Sequence, residues 1–269
     1  HFEDDIEFFK HQTSNIKHQT LIIYTPAIPK EHREFIYFKE NGYYLKKRSE
    51  VLGMITKESF TIAVAGTHGK TTITALITHI LKYSGINCTA FVGGIMTNYN
   101  TNILLGKSSL SPPEKGGVRF FSSPPKEMGC VRSVFVVEAD EYDRSFLTLH
   151  PDIAVITSMD ADHLDIYGAK ENLVESFNLF AKQLKEGGVL IYKKNLPVER
   201  IQRATIDYSV NEKADYYANN INIRKGNFVY DAGKIKEISL AIPGRHNVEN
   251  SLAAIAAAQK LGIPDEKIK

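Results

Sequence analysis

The strongest chemical signal in the sequence is the run Gly66-Thr67-His68-Gly69-Lys70-Thr71-Thr72. Glycines let backbone N–H groups turn inward around phosphate oxygens. A helix that starts just after them adds its unpaired amides and its positive dipole end. In such a loop Lys70 meets the β- and γ-phosphates and the Thr71 hydroxyl ligates Mg²⁺. The general pattern G-x-x-x-x-G-K-[ST] places a further glycine at position 64, where this chain has Val64. A plain strand-to-helix glycine turn with an incidental lysine is the competing reading. Strand, loop, lysine, hydroxyl and helix coincide here, which favours the phosphate loop.

Phosphoryl transfer also needs negative charge to hold Mg²⁺ opposite the loop. Glu138 follows the apolar run Val134 to Val137, at a strand end where such a ligand belongs. Asp140, Glu141 and Asp143 crowd the same turn, and so many acids need a cation or a basic partner, unless the loop is simply solvated. A second acidic stretch, Asp160-Ala161-Asp162-His163-Leu164-Asp165, leaves the next strand at a similar place. His163 is suited to ligate a second metal ion or to touch an acyl group under activation, although a lone histidine is as often structural. Near the far end lies Pro243-Gly244-Arg245-His246-Asn247-Val248-Glu249-Asn250. Asn247 and Asn250 share a helix face, and an amide there can pair with adenine edges; capping of the helix by Asn247 competes with that reading.

These residues need elements to hold them. Leu21 to Tyr24 reads as a strand broken by Thr25-Pro26-Ala27-Ile28-Pro29, and a polar stretch with aromatics follows. A helix is expected from near Ser49 to Ile55, then strands over Thr61–Ala65, Val134–Val137 and Ile153–Thr157, with helical spacing from Ile73 to Leu81. Asn172 to Lys185 and Asn247 to Leu261 read as helices, with a strand at Val189 to Tyr192. Residues 205–240 look like short antiparallel strands turning at Gly226-Asn227 and Ala232-Gly233. Ser108 to Arg132, rich in serine, proline and glycine, reads as a flexible surface insertion. Strands alternating with helices, with polar residues just past the strand ends, predict an α/β fold with a mainly parallel sheet and ligands at its carboxyl edge.

With 43% apolar and 24% charged residues, the 269-residue chain can bury one or two globular cores. A net charge of +2 argues against a large nucleic-acid footprint. Cys88 and Cys130, the two cysteines, lack metal-type or redox spacing and suit a reducing cytosol. No secretory leader and no apolar run near the length of a membrane span appear, so a cytoplasmic protein is expected.

Together the loop Gly66 to Thr72, Glu138-Ala139-Asp140-Glu141, Asp162-His163-Leu164-Asp165, and Gly244-Arg245-His246-Asn247 with Asn250 resemble the Mur ligase family. The family's phosphate loop lacks the upstream glycine, which accommodates Val64. The resemblance implies ATP and Mg²⁺ as cofactors. It places Gly66, Thr67, His68, Gly69, Lys70, Thr71, Thr72, His246, Asn247 and Asn250 around ATP, with Thr71, Glu138 and His163 at metal. Lys70, Glu138 and His163 become the candidate catalytic residues. Thr25, Ala27, Thr101, Asn102 and Glu141 are the candidate substrate contacts.

Within the family the chain is similar to the branch that adds L-alanine to UDP-N-acetylmuramate in bacterial peptidoglycan synthesis. The stretch Arg48-Ser49-Glu50-Val51-Leu52 suits it, and Ser176-Phe177-Asn178-Leu179-Phe180 lacks the lysine that several sister ligases carry. The murein tripeptide-recycling ligase is the nearest alternative, although it usually carries an insertion after the acidic turn. Folylpolyglutamate synthase is more distant, a GTPase is disfavoured by the lack of N-K-x-D, and a non-catalytic nucleotide-binding module stays open. The resemblance implies that 1–55 is the later part of a Rossmann-like UDP-binding domain and 56–269 the central ATP-binding domain, with the C-terminal domain outside the chain. No G-x-G-x-x-G occurs. Lys70→Ala is expected to block acyl-phosphate formation and leave the fold intact.

Overall fold

A computed structural model describes residues 20–106, 134–160, 167 and 169–269. They form two compact units that divide between Met54 and Ile55. In the first, β1 (Leu21–Tyr24) pairs in parallel with β2 (Tyr44–Lys47), and α1 (Arg33–Glu40) makes the crossover. Aromatic edges hold it: Tyr24 meets Phe35 at 5.1 Å and the buried Phe38 meets Tyr43 at 5.0 Å. The polar stretch with aromatics is thus a helix whose apolar side is built from aromatic residues. α2 (Arg48–Glu58) follows β2 directly, and the Glu50 carboxylate accepts the Lys47 N–H at 2.6 Å, as an acid in a first helical turn can.

The second unit is built on one sheet. Its strands are β3 (Phe60–Ala65), β4 (Cys88–Met96), β5 (Thr101–Leu104), β6 (Val134–Glu138), β7 (Ile153–Ile156), β8 (Val189–Lys193), β9 (Ala204–Ser209), β10 (Tyr216–Arg224), β11 (Asn227–Ala232) and β12 (Ile235–Leu240). Their order is β12-β11-β10-β9-β8-β7-β3-β6-β4-β5. Strands β4 to β10 pair in parallel through β6, β3, β7, β8 and β9, while β5, β11 and β12 add antiparallel edges. Residues 205–240 are therefore antiparallel only in part, because β9 runs parallel to β8. Alternating apolar residues report which face a strand buries, not which way it runs.

β3 sits between β6 and β7, with Val64 opposite Glu138 on one side and Val155 on the other. The central strands are buried on both faces, so they read as continuous apolar runs: Ile62, Ala63, Val64 and Ala65 are all fully buried. Val64 is thus a core strand residue with no part in the loop, and a glycine there would only weaken the strand. On one face Ile62, Val64, Val136 and Val155 join Ile73, Ile77 and Leu81 of α3 (Lys70–Tyr83) and Val248, Leu252 and several alanines of α5 (Arg245–Lys260) in one core cluster. α4 (Lys170–Lys182) buries Phe177 and Phe180 against Phe146, with ring centroids 5.3 Å apart in both pairs. A short α6 (Asp265–Ile268) ends the described chain. Among the described residues no helix is long and apolar enough to cross a membrane.

Candidate active site

The parallel strands β3, β6 and β7 bring their carboxyl ends to one edge, and the chemistry predicted from sequence gathers there. β3 leads through Gly66 (φ 134°) and Gly69 (φ 84°) into α3, both glycines in the left-handed half of backbone space. A Cβ on Gly66 would lie 2.0 Å from Thr157 Oγ1 and 2.9 Å from the Ser158 nitrogen. The residues just past β7 hold the loop. Ser158 Oγ accepts the His68 N–H at 2.9 Å and lies 2.8 Å from Thr67 Oγ1, while the Thr157 hydroxyl donates to the His68 carbonyl. Asp160 joins through its N–H to Thr67 Oγ1 at 3.2 Å, and its carboxylate lies 3.9 Å from the exposed His68 imidazole. Helix geometry leaves the first N–H groups of α3 without carbonyl partners inside the helix, aimed out of the loop as an anion site requires.

Lys70, the first residue of α3, turns back over the loop. Its ammonium donates to the Gly66 carbonyl at 2.6 Å and meets the Glu141 carboxylate at 2.8 and 2.9 Å. The Glu141 side chain is only 2% exposed, so this is a buried ion pair. The Tyr167 hydroxyl secures the acidic turn by donating to the Glu141 carbonyl at 2.5 Å, and the Arg144 guanidinium lies 5.4 Å from the centre of the Tyr167 ring. Removing Lys70 leaves a buried carboxylate without its cation, so Lys70→Ala is expected to lower stability as well as to remove the charge from the loop.

Glu138, at the end of β6, accepts the Thr71 hydroxyl at 3.0 Å through one oxygen and the Gly93 N–H at 2.7 Å through the other. These are hard oxygen donors, as Mg²⁺ prefers. Neighbouring ligands of an octahedral Mg²⁺ at about 2.1 Å sit about 3 Å apart, so the Thr71–Glu138 spacing fits that ion with water and phosphate completing its shell. A Cβ on Gly93 would lie 2.6–2.8 Å from the Glu138 carboxylate atoms. We therefore expect Gly93→Ala to push Glu138 off Thr71 and weaken Mg²⁺-dependent nucleotide binding about tenfold, with little change in melting temperature. A Mg²⁺ titration of nucleotide binding identical to that of the parent protein would refute this.

α5 closes the other side of the loop. A Cβ on Gly69 would lie 2.7 Å from Asn250 Oδ1, so this side chain stands directly against the glycine that precedes α3. Asn250 donates its amide to Asn247 Oδ1 at 3.1 Å, and the buried Asn247 donates its own to the Pro243 carbonyl at 2.6 Å. Asn247 therefore ties down the first turn of α5 from inside it; the helix is capped by Gly244 without a side-chain cap bond, so the capping alternative for Asn247 does not hold. The exposed His246 ring folds back over Gly244, where an added Cβ would lie 2.4 Å away.

The structure thus gathers Gly66, Thr67, His68, Gly69, Lys70, Thr71, Glu138, Glu141 and Asn250 into one site, with Thr72 on the same helical turn and Asn247 one contact behind. Thr101 and Asn102 lie on β5, where the Thr101 hydroxyl donates to the Ile103 carbonyl at 3.0 Å. Thr25 and Ala27 follow β1 in the first unit. His163 with Asp162 and Asp165, the side chain of Asp143, and the stretch 108–132 with Cys130 lie outside the described residues. Among the described residues no group of three or more His, Cys, Asp or Glu could hold a metal ion. Burial pushes the Cys88 thiol up to about 11, which leaves it no role as a nucleophile. Thr157, Ser158 and Gly93 were missed from sequence. The Gly93-Gly94 pair inside a strand was the one available signal, because strand glycines often mark a close approach.

Known proteins place this arrangement. UDP-N-acetylmuramate–L-alanine ligase of Flavobacterium johnsoniae is 45% identical over 272 residues, covering 100% of this chain and 54% of that protein. Its counterpart in Cytophaga hutchinsonii is 44% identical over 259 residues, covering 94% and 51%. The chain spans about half the length of the curated relatives it matches. Among solved structures, the UDP-N-acetylmuramate:L-alanyl-gamma-D-glutamyl-meso-diaminopimelate ligase from Neisseria meningitides superposes with a TM-score of 0.71 at 21% identity, covering 91% of this chain and 76% of that one. UDP-N-acetylmuramate-alanine ligase from Thermotoga maritima gives 0.68 at 24%, covering 92% and 53%. The Mur ligase middle domain model matches residues 64–258, from near the end of β3 to the last turn of α5, and the chain belongs to the Mur ligase family.

Proposed function

We propose that this chain supplies the ATP-binding, carboxylate-activating part of a cytoplasmic ligase that joins L-alanine to UDP-N-acetylmuramate. The observation that carries the chemistry is the convergence of Lys70, Thr71, Glu138 and the α3 amides on one loop at the sheet edge. ATP suits that loop, and a ligase of the same fold from Thermotoga maritima has been solved with ADP. In the implied reaction a substrate carboxylate attacks the γ-phosphorus of ATP and expels ADP, giving an acyl phosphate; an amine then attacks the acyl carbon, phosphate and a proton leave, and an amide remains. Both first reactants are anions, so charge neutralisation is the main demand on the protein. Lys70 answers it with an ammonium already aimed across the loop, and the α3 amides hold the phosphates in place. Thr71 and Glu138 would hold Mg²⁺, which supplies further charge neutralisation when bound. Glu141 keeps the Lys70 ammonium over the loop instead of loose in solvent.

The alanine-adding assignment is supported by the names of relatives at 40–45% identity. The fold comparison alone does not separate it from the tripeptide-recycling ligase, whose structure superposes as well. The separating experiment is phosphate release from ATP by the full-length gene product with UDP-N-acetylmuramate and either alanine, glycine, serine or the tripeptide. Release with alanine alone is expected. Release only with tripeptide would move the protein to the recycling branch, and silence with every acceptor would defeat the ligase reading.

A further inference from the structure

α5 carries Asn250 to the phosphate loop on a helix rich in small side chains. Ala253, Ala254, Ala256, Ala257 and Ala258 are buried, each at most 2% exposed. These small side chains permit close packing, while Val248, Leu252 and Ile255 of the same helix fill the core. Yet its placement matters, since Asn250 stands against Gly69 with no room to spare. Apolar packing is non-directional, so polar contacts beside Asn250 are the groups that can make this placement specific.

The residues beside Asn250 do so. Glu249 is buried at 8% exposure, an uncommon place for a carboxylate without partners. It has two: Lys193 Nζ, at the end of β8, lies 2.9 Å from Oε2, and the Val210 N–H, just past β9, donates to Oε1 at 3.3 Å. One turn earlier on α5, Arg245 donates to the Val210 carbonyl at 3.3 Å. Both backbone groups of Val210 are thus held by side chains four residues apart on a single helix face. A one-residue slip turns a helix by about 100°, so these contacts admit one rotational setting of α5. The buried Tyr208 hydroxyl is pushed up mainly by burial and secondarily by the nearby Glu249 charge.

We infer that Lys193, Glu249 and Arg245 form a clamp that sets the seating of α5 against Gly69, and are positioning residues for nucleotide binding. This rests on the reading of the loop as the nucleotide site. None of the three touches the loop in the contacts described above; each acts through the place it gives Asn250.

The test is nucleotide affinity and the KM-against-kcat split for ATP in the full-length protein, with Glu249→Leu, Glu249→Gln, Lys193→Met and the pair Lys193→Met/Glu249→Gln. Glu249→Leu is expected to weaken nucleotide binding about tenfold and leave the saturated rate within about threefold. Glu249→Gln and Lys193→Met should each weaken it about threefold, and the double variant no more than either single one. These milder variants carry the test if Glu249→Leu does not fold. Unchanged affinity in folded variants, a fall in kcat at constant KM, or fully additive single effects would overturn the clamp. Absence of nucleotide binding in the parent protein would overturn the reading of the loop itself, a result distinguishable from all of these.

Discussion

Lys70→Ala is expected to cut phosphate release by the full-length enzyme about a thousandfold or more and, at the same time, to destabilise the protein. The two effects have separate causes. Catalysis loses the only charge placed at the mouth of the loop by α3 itself, while the fold loses the cation that compensates a nearly buried Glu141. Breaking a buried pair from one side costs about 3–5 kcal/mol, less if the stranded carboxylate takes up a proton. Adding Glu141→Gln to Lys70→Ala replaces the orphaned charge by a neutral amide. The double variant should regain most of the lost stability in a denaturant titration and none of the activity. Normal stability of the single variant would mean that the pair does not support the fold. Recovered phosphate release in the double variant would mean that Lys70 is not the neutralising group.

Gly66→Ala should be equally damaging for a different reason. At φ 134° an L side chain is strained before any contact is considered, and the added methyl carbon would sit 2.0 Å from Thr157 Oγ1 and close to two backbone nitrogens. Strain and collision together are expected to cost about 3 kcal/mol or more. Because Thr157 also holds the His68 carbonyl, the loop should lose its shape and nucleotide binding should vanish. Gly187→Ala makes the control: φ is 75° and nothing lies within 4 Å of the added carbon. It should cost about 1 kcal/mol, the backbone strain alone, and leave binding unchanged. Equal losses from the two substitutions would show that contact with Thr157 does not constrain Gly66.

Much of this site was legible because its chemistry is contiguous in the chain. The loop from Gly66 to Thr72 and the carboxylate Glu138 announce themselves by type, and the apolar runs of β3, β6 and β7 place them at strand ends. The sheet's parallel centre followed from buried strands alternating with helical spacing. What stayed hidden depends on contacts across the fold. Thr157 and Ser158 are ordinary hydroxyl residues until β7 is laid beside β3. Gly93 matters only because β4 runs past Glu138. Glu141 looked like a substrate contact, and its engagement with Lys70 is a tertiary event. The direction of β9 was invisible because alternation carries no sense of direction. α1 escaped because its buried side is short and aromatic, so it lacked the long aliphatic spacing by which helices are recognised.

The position of β3 between β6 and β7 has a consequence for the order in which the molecule assembles. The phosphate loop is made early in the chain, but both strands that flank it and both hydroxyls that brace it come later, and Asn250 comes later still. Contacts between segments so far apart carry a high loop-closure cost and form slowly. During synthesis the loop therefore waits: the apolar β3 gains one edge partner when β6 emerges and the other only with β7, and Asn250 arrives with α5. Until those pieces arrive, the open strand edges and apolar faces of the sheet are the surfaces through which a growing chain aggregates.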